Sequence, residues 1–346
     1  MKKYLENVGS CIITKSLMNG ETKLRWLFCE EPINNIDTGW MAFGDKDNDD
    51  YVNNPKNLAV VDLNTLVNIE PTVLNVYEMP IGTDLIFINE NGEKYFINSK
   101  TNEQIREKVK SPFMVAFEKN LEFLKKNEYS KDTIEKLFTK SDKITLFPIR
   151  KIDFPTGEII IADPFYYLHS EKSRQILNRT IPIGKYEVEL AICNSKTLYK
   201  RIIGAKLKVK NDEVVRYEFT MPKGYTVDDS HILNGFGVDA GLASFCDASV
   251  VKEYTKFWYD WQKDNPNKNF YDDYFNKFFE ESYKKYSEIQ TSSGNFIYWE
   301  IPETHHKIVM FETGFGDGYY MSLWGLNKKD EVCELVIPFI NPELVD

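Results

Sequence analysis

The chain has 346 residues, of which 42% are hydrophobic and 28% are charged, and this balance excludes an intrinsically disordered protein. Its length is roughly twice that of an average domain, so we expect two folded domains. With 53 acidic and 43 basic residues the chain carries a net charge of −10, which would repel a phosphate backbone. Nucleic acid is therefore not an expected partner.

The compartment is predicted from what the sequence lacks. The two lysines near the start are not followed by the apolar run of a secretory signal, and no stretch approaches the roughly 18–20 apolar residues that span a bilayer. We therefore expect a cytoplasmic protein with no membrane partner. The five cysteines are scattered and never form a C-x-x-C pair, which predicts reduced core residues instead of disulfides or a zinc site.

The first two segments of the chain differ in pattern and in charge. Residues 1–98 carry 15 acidic and 8 basic side chains, and their short apolar runs alternate with turns, which predicts a small α+β domain. Residues 99–148 carry 11 basic and 8 acidic side chains, and residues 99–140 form the next segment. Ser111-Pro112 and Ser130 are typical helix starts, each followed by apolar residues at helical spacing. This segment is predicted to be a helical connector.

Residues 141–346 are predicted to form a larger domain built on an antiparallel sheet. Apolar and polar residues alternate in three successive runs, at 186–192, 203–209 and 215–221, which predicts a meander. Residues 250–286 interrupt the strands with two aromatic-rich amphipathic helices. The predicted fold is therefore α+β in two domains, the second a β-sheet domain with an inserted helical pair.

An acidic cluster in the first domain begins like a calcium-binding loop. Asp45, Asp47, Asp49 and Asp50 supply carboxylates near alternate positions, but the glycine and the bidentate glutamate that a calcium loop requires are missing. A solvated acidic loop is the favoured interpretation. Such a loop could bind a basic protein partner, because acidic patches steer cationic surfaces.

Four aspartates of the second domain are candidate ligands for a small molecule or a metal ion. Asp239 and Asp317 each follow a Gly-Phe-Gly turn, Asp247 lies eight residues after Asp239, and Asp163 follows a strand-like run. We expect Asp239 and Asp317 to turn toward a common cleft. Converging carboxylates could hold a hard cation or act as acid and base; alternatively, each caps its own turn. No catalytic residue and no organic cofactor is predicted, and a divalent cation stays open.

Two parts of the chain resemble known families. Residues 9–88 resemble the immunity protein 33-like family (domain of unknown function 2185) through ordered motifs: Gly9–Thr14, Leu24–Phe28, Glu30–Asn34, Asp37–Trp40 and Ile69–Pro71. Residues 141–340 resemble a second bacterial family, domain of unknown function 4241, through these motifs: Ala162–Phe165, Ile181–Tyr186, Gly237–Gly241 with Asp247, and Gly314–Gly318 with Trp324-Gly325. The first resemblance implies a bacterial polymorphic toxin system, in which such proteins are inferred to neutralise a cognate toxin.

Two functions follow as expectations. The first is a non-enzymatic immunity protein that binds a toxin, which the acidic charge and the absence of hydrolase and phosphotransferase signatures favour. The alternative is that the second domain is an enzyme or a small-ligand or metal-binding module with an aspartate-lined site.

Overall fold

The computed structural model describes residues 2–6, 8–90, 92–226 and 234–346. The chain divides into two compact units, Met1–Val115 and Ala116–Asp346, which we call the N-terminal and C-terminal units. Both combine helices with sheets, and the larger C-terminal unit is rich in strands, as predicted.

The N-terminal unit is a seven-stranded sheet with short helices. Its strands are β1 (Ser10–Thr14), β2 (Leu24–Cys29), β3 (Asp37–Gly44), β4 (Leu58–Asp62), β5 (Asp84–Glu90), β6 (Glu93–Asn98) and β7 (Gln104–Ile105). Its helices are α1 (Lys15–Met18), α2 (Asp49–Val52) and α3 (Leu63–Ile69), with 3-10 turns at Pro55–Asn57 and Pro71–Asn75.

The strands of this sheet run in the order β4-β1-β3-β2-β5-β6-β7, with β1 and β3 parallel and the other pairs antiparallel. Apolar residues of the sheet pack with Leu63, Leu66 and Val67 of α3 into one core that surrounds Trp40. Trp40 donates its indole N–H to the carbonyl of Tyr77 at 2.8 Å, which satisfies the polar atom of this buried ring.

Two helices, α4 (Pro112–Lys126) and α5 (Lys131–Leu137), follow, and they begin where the sequence predicts. Ser130 caps α5 by accepting a hydrogen bond from the N–H of Thr133 at 3.1 Å. Ile134 and Leu137 are buried in the core of the C-terminal unit. Asn120 of α4 is also buried there, donating to the carbonyl of Phe339 at 2.9 Å. Residues 116–140 thus belong to the C-terminal unit.

The C-terminal unit contains two large antiparallel sheets, a two-stranded ribbon and two further helices. The strands are β8 (Ile144–Phe154), β9 (Glu158–Ala162), β10 (Ile176–Thr180), β11 (Gly184–Ser195), β12 (Tyr199–Lys208), β13 (Arg216–Phe219), β14 (Phe236–Val238), β15 (Leu242–Asp247), β16 (Phe296–Glu300), β17 (Lys307–Glu312), β18 (Gly318–Tyr320), β19 (Leu323–Leu326) and β20 (Val332–Pro338). The helices are α6 (Val250–Asp264) and α7 (Asn276–Lys285), with a π-helical turn at Tyr271–Phe275 and a 3-10 turn at Pro342–Leu344.

The predicted meander is only partly correct. β11 and β12 form a hairpin within the sheet β13-β19-β20-β12-β11-β8, as expected for the first two alternating runs. The third run, β13, does not pair with β12: β20 occupies that position and β13 pairs with β19. Alternation predicts a strand with one buried face, but it does not select the partner strand.

The five-stranded sheet, in the order β10-β9-β15-β17-β16, is buried on both faces. Ile159 and Ile161 face the six-stranded sheet, whereas Ile160 and Ala162 face the cluster that contains Tyr254 of α6. Because successive side chains of a strand point to opposite faces, a run of four consecutive apolar residues fits a strand enclosed on both sides.

One face of the six-stranded sheet carries a network of charged side chains, in which Glu189 is buried and Lys206 is mostly shielded from solvent. Lys206 lies 3.7 Å from Glu189 and 3.5 Å from Glu334, and Lys208 lies 3.3 Å from Glu187 and 2.5 Å from Glu189. These contacts join side chains across β11, β12 and β20. Cross-strand pairs of opposite charge stabilise a sheet face that cannot be apolar.

Candidate functional site

The two Gly-Phe-Gly motifs of the sequence lie near each other, but the first is not the predicted turn, because Phe236 and Gly237 belong to strand β14. Strands β14 and β18 pair antiparallel, with Val238 opposite Gly318. Asp239 directly follows Val238 and Asp317 directly precedes Gly318, so both aspartates occupy the same end of this ribbon. A Cβ added at Gly241 would lie 3.7 Å from the Cα of Gly316, which places the turns in contact. We call the segment from Asp239 to Gly241 the Gly241 turn.

The side chain of Asp163 binds the backbone of the Gly241 turn through hydrogen bonds. Its side chain is fully buried, and one carboxylate oxygen accepts from the N–H groups of Phe165 (2.8 Å) and Tyr166 (3.1 Å). The other oxygen accepts from the N–H groups of Asp239 (2.9 Å) and Ala240 (2.7 Å). Burial raises the pKa of Asp163, and these four hydrogen bonds oppose that rise. The carboxylate therefore ties the end of β9 to the turn.

Asp317 and Asp239 have different partners at the protein surface. The carboxylate of Asp317 accepts from the N–H of Gly241 at 2.8 Å, and Gly241 has a φ of +64°, which suits glycine. The carboxylate of Asp239 accepts from the phenol of Tyr167, and this hydrogen bond raises the pKa of Tyr167. Asp163 and Asp317 thus stabilise the turn through its backbone, while Asp239 presents its side chain at the turn's edge.

Asp247 lies apart from the other three candidate aspartates. It is the last residue of β15, five positions after Leu242, which corresponds to about 16 Å along a strand. Its buried carboxylate accepts from the N–H (3.1 Å) and hydroxyl (2.8 Å) of Thr156 and from the N–H of Ser249 (2.9 Å). In the part of the chain that the structure describes, no three acidic, histidine or cysteine side chains are grouped so that they could hold a metal ion.

A cavity of about 740 Å³ opens beside the Gly241 turn. Its wall combines the two glycine-rich turns with α6, the connection between α6 and the π-helical turn, and the segment after β9. Of the four candidate aspartates, Asp239 lines this cavity, whereas Asp163, Asp247 and Asp317 are not among its lining residues. The size is in the range of small-molecule clefts, about 300–1,000 Å³.

Four charged residues of this cavity wall were not predicted from the sequence: Lys268, Asp272 and two strand residues, Glu312 and Arg201. Glu312, at the end of β17, accepts a hydrogen bond from the side chain of Asn295, and burial raises the pKa of Glu312. Arg201 of β12 donates to the carbonyl of Gly314 at 2.9 Å, and its guanidinium lies over the ring of Phe315, 5.4 Å from the centroid. Neither belongs to a motif, so only the strand register brings them to the cavity.

A stacked aromatic pair forms another part of the wall. The rings of His169 and Trp258 are parallel within 4°, with centroids 3.9 Å apart. Their buried nitrogens, Nδ1 of His169 and Nε1 of Trp258, have no hydrogen-bond partner among the described residues. Burial and the nearby Arg174 lower the pKa of His169, which keeps the imidazole neutral at pH 7. The sequence signalled neither residue, because the aromatic stripe that contains Trp258 usually indicates core packing and His169 is isolated from the other histidines.

The acidic loop of the N-terminal unit contains one structural carboxylate and three at the surface. Asp47 accepts hydrogen bonds from Thr14 (2.7 Å), Ser16 (2.6 Å) and the N–H of Gly44 (2.7 Å), which fixes the loop against β1 and β3. Asp45 is exposed and accepts from the N–H of Lys23 at 3.1 Å. Asp49 and Asp50 are exposed in the first turn of α2.

A groove of about 520 Å³ lies next to this loop, and we call it the aromatic-acidic groove. Trp26 and Phe28 of β2 and Phe43 of β3 supply its aromatic wall; Phe28 and Phe43 meet edge to face at 5.0 Å, and Trp26 is 36% exposed. The carboxylates along it belong to Glu30, Asp47, Asp49 and Asp84, and the ammonium group of Lys100 donates to the carbonyl of Gly82. An apolar centre with an acidic edge is therefore present in this unit.

The comparisons with known families divide the chain in the same way. Residues 11–98 match the family described as Immunity protein Imm33 domain, and residues 152–337 match the family described as Protein of unknown function (DUF4241). No curated protein and no solved structure matches the chain. In the described residues, no helix is both long enough and apolar enough to cross a membrane.

Proposed function

The chain belongs to the DUF4241 family and carries an immunity-protein domain of the Imm33 type at residues 11–98, and we propose that it binds and neutralises a cognate toxin. The proposal includes a polymorphic toxin system of bacteria and a site of action in the cytoplasm of the cell that makes the toxin. The Imm33 match is the observation that carries it.

The aromatic-acidic groove supports this proposal by its chemistry. Exposed tryptophan is among the residues that contribute most to protein interfaces, and Trp26 lines the same groove as Phe28 and Phe43. Charged groups around such a centre increase the rate of encounter with a partner of opposite charge. The acidic residues of the groove and of the α2 turn therefore favour a toxin with a basic surface, such as a nuclease-like protein.

The first test is protection in cells. We expect co-expression with the toxin encoded beside this gene to restore growth, and we expect the tagged chain to recover that toxin from its host. Failure of both the rescue and the recovery would contradict the proposed function.

The groove itself is tested with variants. Trp26→Ala should weaken toxin binding at least about 30-fold, the effect of losing one aromatic anchor. Asp49→Asn with Asp50→Asn should mainly slow association at low salt, because exposed charges steer encounter. Val60→Ala and Glu107→Gln are matched controls, since Val60 is 72% exposed on the edge strand β4 and Glu107 is exposed outside the groove. Equal toxin binding by all variants would show that the toxin does not contact the aromatic-acidic groove.

A further inference from the structure

The cavity beside the Gly241 turn has an aromatic wall suited to an apolar ligand face. Phe165, Phe270 and Tyr271 line it together with Trp258. Phe165 lies 5.7 Å from both Phe270 and Tyr271 in edge-to-face contacts, so these rings support one another. Flat, rigid side chains of this kind bury large ligand areas with little loss of side-chain entropy.

The polar part of the same wall offers donors and acceptors together. Gln262 provides both, Lys268 and Arg201 donate, and Asp239 and Asp272 accept. A hydroxyl group donates one hydrogen bond and accepts up to two, so a ligand with several hydroxyls matches such a mixed set better than a ligand with acceptors alone.

The charges of the wall disfavour an anionic ligand. Among the described lining residues, the cations of Arg201 and Lys268 are balanced by Asp239 and Asp272, and Glu312 is a third carboxyl group. A carboxyl group such as that of Glu312 supplies no positive charge, and neither does the neutral imidazole of His169, whose pKa is lowered by burial.

The backbone of the turn does not provide a phosphate site. The N–H groups of Asp239 and Ala240 donate to Asp163, and that of Gly241 donates to Asp317. A phosphate-binding loop needs backbone N–H groups that point at the ligand, and these three are already committed to carboxylates.

Two unsatisfied ring nitrogens lie in the same wall. Nδ1 of His169 and Nε1 of Trp258 are buried, and neither has a hydrogen-bond partner within the described ranges. Buried polar atoms without partners are rare in folded proteins, and a ligand or water commonly accounts for them.

From these observations we propose that the C-terminal unit binds a short, uncharged saccharide in this cavity. The rings contact the apolar C–H faces of the sugar, and the amide and carboxylate groups bind its hydroxyls. This inference is independent of the toxin-binding proposal, which concerns the N-terminal unit.

Isothermal titration of the full chain with maltose, cellobiose, lactose, N,N′-diacetylchitobiose and maltotriose tests the proposal. We expect at least one of them to bind with a dissociation constant in the millimolar range or below, and we expect AMP, an anionic ligand with a ring, not to bind. Heat changes with AMP but with none of the saccharides would overturn the inference.

Variants then locate the binding. Gln262→Ala and Asp272→Asn should each lower saccharide affinity about fivefold, the effect of one lost hydrogen bond. Asp264→Asn is the matched control, because Asp264 is exposed at the end of α6 and does not line the cavity. A thermal melt of each variant checks that it is folded. Folded variants that bind as the control does would contradict this site.

Discussion

The carboxylate of Asp163 accepts hydrogen bonds from four backbone N–H groups and so determines the shape of the turn that borders the cavity. Hydrogen bonds to a charged acceptor are stronger than neutral ones, and a buried N–H that loses its partner keeps the full cost of desolvation. The turn thus depends on an aspartate that does not need to touch a ligand. We therefore propose that Asp163 positions the wall of the cavity without contacting the ligand.

Asp163→Asn tests this interpretation by turning one acceptor oxygen into an amide donor. Whichever way the amide is oriented, two backbone N–H groups lose their acceptor, so we expect the free energy of unfolding to fall by about 2–4 kcal/mol. The measurement is the urea unfolding midpoint followed by circular dichroism. Asp264→Asn should change stability by less than about 0.5 kcal/mol. Equal midpoints for the two variants would show that the hydrogen bonds of Asp163 do not stabilise the turn.

At the scale of elements, the hairpin of β11 and β12 is closed by the last residue of the chain. The carboxylate of Asp346 accepts from the hydroxyls of Ser195 and Thr197 and from the N–H of Thr197, all at the turn between these strands. The hydrogen bond from Ser195 contributes most to lowering the pKa of Asp346 from its ordinary value of 3.8 to about 2. The contact is therefore made by the ionised form.

This contact predicts a pH dependence of stability. Because the folded pKa of Asp346 is lowered, its stabilisation is complete above the ordinary value of 3.8 and is lost as the pH falls toward about 2. We expect Asp346→Asn to unfold at lower urea concentration than the parent at pH 6, with a difference that shrinks between pH 4 and pH 2. A difference that is constant over this range would show that the carboxylate charge is not involved.

Sequence patterns predicted elements well where a local signal was sufficient. Ser130 caps α5 and the aromatic stripes of 250–286 become α6 and α7, because capping and helical periodicity are properties of a few neighbouring residues. The placement of β13 beside β19 could not be predicted in this way. Pairing of strands a hundred residues apart depends on tertiary packing, which a single sequence does not display.

The same distinction applies to the candidate sites. The Gly-Phe-Gly motifs indicated Asp239 and Asp317, and the structure places these residues at one end of a ribbon. Arg201 and Glu312 reach the cavity from strands that are far apart in sequence, so no spacing rule could group them with the turn. Asp47 looked like an exposed acid, but its three hydrogen-bond donors come from β1, α1 and the last residue of β3.

At the scale of the molecule, each unit has its own hydrophobic core. The core around Trp40 consists of residues from the N-terminal unit, whereas the two cores of the C-terminal unit consist of residues from Ala116 onward. Residues 99–104, 106–108 and 110 are exposed, and this stretch lies between the last long strand of the first unit and α4. A chain segment of this kind is accessible to proteases.

Limited trypsin digestion tests the independence of the cores. We expect early cleavage at Lys100, Arg106, Lys108 or Lys110. The product should be a long-lived fragment that starts in this stretch and contains the whole C-terminal unit. Mass spectrometry identifies the fragment ends. Early cleavage scattered through the strands of both units, with no protected fragment, would contradict two self-contained cores.

The burial of the five-stranded sheet on both faces restricts how this sequence can diverge over evolutionary time. A substitution in Ile159–Ala162 has no solvent-facing side to occupy, so only changes that keep apolar volume are tolerated at low cost. The charged face of the six-stranded sheet follows another rule, because Lys206 and Lys208 each lie against two glutamates. There the sign of a charge can change only if the charges of all its partners change too. In relatives of this protein we therefore expect apolar residues of similar volume to replace one another in the five-stranded sheet. In the six-stranded sheet we expect charged residues to change together with their partners.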